Sequence, residues 1–92
     1  MSEATRTVAF GSAVGLHARP ASAIAKAAGE SGHTITIAGP AGKAVNAASV
    51  LMLLTLGISG GDEVTITVTG DDAETVADAF AAVVGSELDV AE

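Results

Sequence analysis

The chain has 92 residues, long enough for one domain and too short for two, so a single compact core spanning 1–92 is expected. Its formal charge of −7, with only Arg6, Arg19, Lys26 and Lys43 as cations, argues against nucleic acid and anionic membranes as partners. It contains no cysteine, which removes disulfides, thiolate metal sites and thiol catalysis.

An apolar fraction of 49% suffices for a core, but that fraction is mostly Ala and Val, with two Phe and no Trp or Tyr. Small side chains pack elements close together. Thin layers with few deep pockets are therefore expected. No apolar run approaches a membrane span, and the first residues lack the apolar stretch of a signal peptide, so a cytoplasmic location is expected.

In chain order, residues 5–10 (TRTVAF) alternate as a half-buried strand. Gly11-Ser12 and Gly15 mark a loop. Ala21, Ile24, Ala25 and Ala28 recur at helical spacing, which predicts a helix from Ala18 to a C-terminal cap at Gly29. His33 to Ala38 alternates as a strand, and the Gly39-Pro40-Ala41-Gly42 turn returns the chain through Lys43–Asn46. A short helix follows, capped by Asn46 or Ser49 and closed by Gly57. Val64–Thr69 places three β-branched apolar residues on one strand face. Asp71, with Glu74 three residues on, has the pattern of a capping box. Val76, Phe80, Val83 and Val84 then line one face of a helix to about residue 88. The order β-α-β-β-α-β-α with one-sided strands predicts an α+β fold. It is an open-faced two-layer sandwich, a four-stranded antiparallel sheet covered on one face by three helices.

The informative stretch is Gly15-Leu16-His17-Ala18-Arg19-Pro20-Ala21. His17 stands where loop becomes helix, among backbone N–H groups that have no helical partner. Those donors, the N–H of Ala18 among them, and the positive end of the macrodipole favour an anion. Pro20 suits a first turn, because its missing N–H would have been unpaired there. It also disfavours helical geometry at Arg19, which would shift the start by a residue or two. Arg19 can add a guanidinium to the same anion. The positive field disfavours imidazolium and so favours the neutral, nucleophilic ring. No cofactor and no metal site are indicated. His33 has no partner pattern around it, and Asp71, Asp72 and Glu74 read as capping.

The stretch from Gly15 to Ala21 resembles the active-site signature of the histidine-containing phosphocarriers (HPr) of the bacterial sugar phosphotransferase system. The similarity extends over about residues 5–88 and includes the element order. It implies that His17 accepts phosphate through Nδ1 from enzyme I, itself charged by phosphoenolpyruvate, and passes it to a histidine on the A component of sugar permeases. It also implies that Arg19 steadies the phosphate, and that the chain is a carrier rather than an enzyme.

Val50 to Leu54 puts five apolar residues in a row, more than one helix side can bury. Met52 and Leu53 are assigned to the core. Val50, Leu51 and Leu54 are assigned to partner contact, with Ser22 and Lys26 on the rim, in keeping with the docking face that the resemblance implies. Ser49 sits at an N-cap position, and the resemblance further implies regulatory phosphorylation there by a serine kinase. A monomer is expected. Two other functions fit parts of the pattern. One is a ferredoxin-like regulatory module that binds a small molecule. The other is an acyl-phosphate hydrolase in which Arg19 holds phosphate and Asn46 places water.

Overall fold

The computed structural model describes residues 2–11, 15–16, 18–40 and 42–86. These form strand β1 (Ser2–Ala9), helix α1 (Ala18–Ser31), strands β2 (Thr34–Ala38) and β3 (Ala44–Asn46), helix α2 (Val50–Leu54), strand β4 (Glu63–Gly70) and helix α3 (Ala73–Val84). The sheet runs β1-β4-β2-β3, with every neighbouring pair antiparallel. The expected order and the two-layer α+β sandwich are both present.

Alternation explains the layering. On β4, Val64, Ile66 and Val68 point under the helices and are buried, as are Ile35 and Ile37 of β2 and Val45 of β3. From above, α1 buries Pro20, Ala21, Ile24, Ala25 and Ala28, while α3 buries Ala73, Ala77, Phe80 and Val84. The small residues on these helix faces let the backbones approach the sheet closely. On the uncovered face, threonines fall in register across three strands, with Thr67 opposite both Thr5 and Thr36. Arg6 of β1 donates to Asp78 of α3 at 2.7 Å, so this cation serves the edge of the fold.

Several boundaries depart from expectation, and α2 ends at Leu54 with Thr55 as its C-cap, short of Gly57. Helix α1 begins at Ala18, with Arg19 and Pro20 in its first turn, and it passes through Gly29 to end at Ser31. Gly29 therefore does not cap it. The left-handed residue beyond the helix is Gly32, with φ of 73°, and glycine adopts that conformation without a Cβ penalty. Strand β1 starts earlier than expected, at Ser2, and stops before Phe10, which turns inward as a buried core residue.

Helix α3 ends at Val84, short of residue 88, where both the hydroxyl and the amide of Ser86 donate to Val83 O. Its start also lacks the expected capping box. Asp72 has φ of 60° and makes no side-chain cap bond to the backbone. Its carboxylate instead accepts the Thr75 hydroxyl at 3.1 Å. The Asp71 carbonyl faces the His33 ring.

Candidate functional site

His17 lies outside the described residues, so the site is built from what flanks it. On the near side is Gly15, buried and with φ of 88°. A Cβ there would stand 2.8 Å from Ile58 O and 3.3 Å from Ser59 Cα, so both the backbone conformation and the space require glycine. The Leu16 amide donates to Ile58 O at 2.9 Å. At the other end of this loop, Phe10 N–H donates to Asp62 O at 2.8 Å and Gly11 N–H to Val84 O at 3.1 Å.

On the far side, α1 opens directly at Ala18, with Ala18 and Arg19 exposed and Pro20 buried. The first turn of α1 carries no acidic residue. Amides of a first turn have no partner within their own helix, and the axis dipole adds partial positive charge. Continuing along α1, Ser22 and Lys26 lie one turn apart and exposed.

Helix α2, which packs against α1, supplies an apolar surface. Leu51 is 73% exposed and Leu54 is 42% exposed, with Val50 half-buried. Leu53 is fully buried, as expected, but Met52 is not a core residue: it is 36% exposed. Only five residues long, α2 turns one side chain fully inward, and Leu53 takes that place. Ser49 caps the helix, its Oγ accepting the Met52 amide at 3.2 Å. The Asn46 side-chain oxygen accepts from Ala48 N–H at 2.9 Å, a local turn bond.

His33, which the sequence left without partners, is in fact clipped between two carbonyls. Its Nε2 faces the Asp71 carbonyl and its Nδ1 lies 2.8 Å from the Ser31 carbonyl. A neutral imidazole has one N–H and can satisfy one of them; the imidazolium satisfies both. The bond to the Asp71 carbonyl, then that to Ser31, raises the pKa above the ordinary 6.5, with the Asp71 and Asp72 carboxylates adding to the effect. A raised folded value means that this contribution is whole below 6.5 and lost as pH rises through the higher folded value. The melting-temperature gap between the parent and His33→Gln should therefore narrow from about pH 5.5 to about pH 8.5. A gap that stays constant or widens over that range would contradict the clip. Among the described residues, no group of three or more His, Asp or Glu side chains could hold a metal ion, and no helix is long and apolar enough to cross a membrane.

Gly60-Gly61-Asp62 reads as a turn in the sequence, and it is one; two features of the surroundings escaped the sequence, the partners of His33 and the bonds made by that turn. The second had a signal in Ser59-Gly60-Gly61-Asp62, where an acid three residues after a serine can close a turn on its amide.

A family model described as the PTS HPr component phosphorylation site matches residues 4–86. The chain is 43% identical over 86 residues to the phosphocarrier protein HPr of Streptomyces coelicolor, covering 94% of this chain and 92% of that one. It is 40% identical over 91 residues to the phosphocarrier protein NPr of Shewanella violacea, covering 99% of each. Among solved structures it is similar to a phosphocarrier protein HPr from Bacillus anthracis, with a TM-score of 0.82 and 36% identity over 91% of this chain and 99% of that one.

Proposed function

The chain belongs to the HPr phosphocarriers of the phosphotransferase system, and from that premise we propose that His17 is the residue that carries the phosphoryl group. In this proposal phospho-enzyme I is the donor and the A component of a sugar permease the acceptor. The carrier is a cytoplasmic monomer with no turnover of its own. The observation that supports this most is the place where α1 begins. The helix starts at the residue after His17, with the Ala18 amide and the exposed Arg19 in a first turn free of acids.

The chemistry follows from that placement. The Nδ1 lone pair of a neutral His17 ring attacks phosphorus as the bond from phosphorus to the donor's ring nitrogen breaks. The donor nitrogen leaves with that electron pair. A protonated donor ring thus departs neutral, and the charge passes to the newly phosphorylated ring. First-turn amides and the Arg19 guanidinium receive the oxygens of the transferred group. The dipole contributes about 0.3–1 kcal/mol at an exposed helix end and up to ~2 when partly buried. That is enough to steady a phosphoryl group and too little to trap it, as a relay requires.

Docking in this proposal uses Val50, Leu51 and Leu54 as the apolar centre and Ser22 and Lys26 as the rim. Lys26 acts on encounter with an acidic partner more than on lifetime. Ser49, at the head of α2, is the regulatory acceptor for a serine kinase. A phosphate there adds about −1.5 to −2 charges beside the docking face and repels an acidic partner.

The test is one incubation with phosphoenolpyruvate and enzyme I. The chain should gain one acid-labile phosphate, and His17→Ala should gain none. Uptake by His17→Ala, or no uptake by the parent, would contradict the assignment.

A further inference from the structure

We infer that Asp62 is a positioning residue for Leu16, the residue before His17, acting through a single peptide group between Ile58 and Ser59. This rests on the proposal that His17 is the phosphoryl acceptor.

The geometry forms a chain of contacts. One carboxylate oxygen of Asp62, Oδ2, accepts the Ser59 N–H at 2.8 Å. The carbonyl on the other side of that same peptide group, Ile58 O, accepts the Leu16 N–H at 2.9 Å. A trans peptide is planar, with its N–H and C=O pointing in opposite directions, so fixing one end fixes the other. The carboxylate therefore sets the direction of the carbonyl that holds the residue immediately before His17. A charged acceptor at one end also polarises the peptide and strengthens the bond at the other.

The same turn holds the opposite end of the loop. Asp62 O accepts from Phe10 N–H at 2.8 Å, and Gly61 N–H donates to Phe10 O at 2.9 Å. Both ends of the span from Phe10 to Leu16 thus rest on residues 58–62. Within the turn, Gly60 and Gly61 bring no side chains to stiffen it, and glycine has the most backbone freedom to lose. Two bonds close the turn: the Asp62 amide to Ser59 O at 3.0 Å and the carboxylate to Ser59 N–H. Without the carboxylate the Ile58–Ser59 peptide can rotate about its neighbours, and Leu16 moves with it. The side chain of Ile58 is buried and would stay in the core, so the loss is one of orientation rather than of fold.

The test compares the parent with Asp62→Ala and Asp62→Asn, the latter keeping a side-chain carbonyl oxygen that can accept from Ser59. Two readouts are needed: the rate of phosphoryl uptake from phospho-enzyme I, and hydrogen exchange of the Leu16 amide relative to core amides of β4. Misplacement of a reacting group by a fraction of an ångström to an ångström carries a large kinetic cost, so Asp62→Ala should lower kcat on the order of 10-fold with KM nearly unchanged. Its Leu16 amide should exchange faster while β4 stays protected, and Asp62→Asn should recover most of both. Parental kcat and Leu16 protection in Asp62→Ala would overturn the inference, as would an Asp62→Asn variant no better than Asp62→Ala. If the parent takes up no phosphate, it is the His17 assignment that fails, and Leu16 exchange then decides the role of Asp62 alone.

Discussion

Leu51→Asp should leave the chain folded yet weaken its association with enzyme I on the order of 10- to 100-fold, the scale on which a buried anchor is lost from an interface. The side chain is 73% exposed, so its removal costs the free protein almost nothing. An aspartate in the first turn of α2 is also tolerated by the helix dipole. The loss arises in the complex, where a carboxylate would have to be desolvated at an apolar centre. Steady-state kinetics with enzyme I read it as a rise in KM, with the melting temperature held. A KM equal to that of the parent would remove Leu51 from the docking face.

Two residues along, truncating a leucine should act on folding rather than on docking. Leu53 is fully buried, and Leu53→Ala is expected to cost about 2–5 kcal/mol, the transfer of the missing carbons plus the cavity they leave. In a domain of this size each kcal/mol moves the melting temperature by roughly 4–8 °C, so the change is large and read directly by thermal unfolding. The many buried alanines have little reach with which to refill the space. A loss below about 1 kcal/mol would mean that the layer collapses around the gap. The pair separates docking from packing within five residues of helix.

That pair also marks where the sequence stops being legible. Strand alternation and helical spacing reveal the element order, because burial on one face imposes a period on the residues that make it. They do not reveal which strands pair. That β4 lies between β1 and β2 is decided by contacts far apart in the chain. The run Val50–Leu54 has no period to read, since all five residues are apolar, and so Met52 could not be told from Leu53. Gly29 is expected to end α1, yet nothing local separates it from Gly32, a glycine three residues on. The choice fell to the residue that takes a left-handed conformation before β2, three residues later than the apolar pattern suggests.

The site divides in the same way. Gly15 to Ala21 is a local constellation, and its chemistry can be read from residue types alone, because a helix start needs no distant partner to present amides to an anion. Its support is not local. Asp62 reaches the Leu16 amide through the Ile58–Ser59 peptide, and His33 joins the end of α1 to the turn before α3; the Ser59–Asp62 bond has a local signal, but the bonds from Leu16 to Ile58 and from His33 to Asp71 leave no spacing that pattern can detect. Likewise the capping box at Asp71 is matched in sequence but not built, because the chain enters α3 through a left-handed Asp72.

The most direct measurement is the location and fate of the phosphate. The chain should be charged with phosphoenolpyruvate and enzyme I, kept alkaline to preserve a phosphoimidazole, fragmented for mass analysis, and then chased with a permease A component. The phosphate should sit on His17 alone and disappear from it as the A component gains label. Label on another residue, or label on His17 that no A component can remove, would contradict the carrier account.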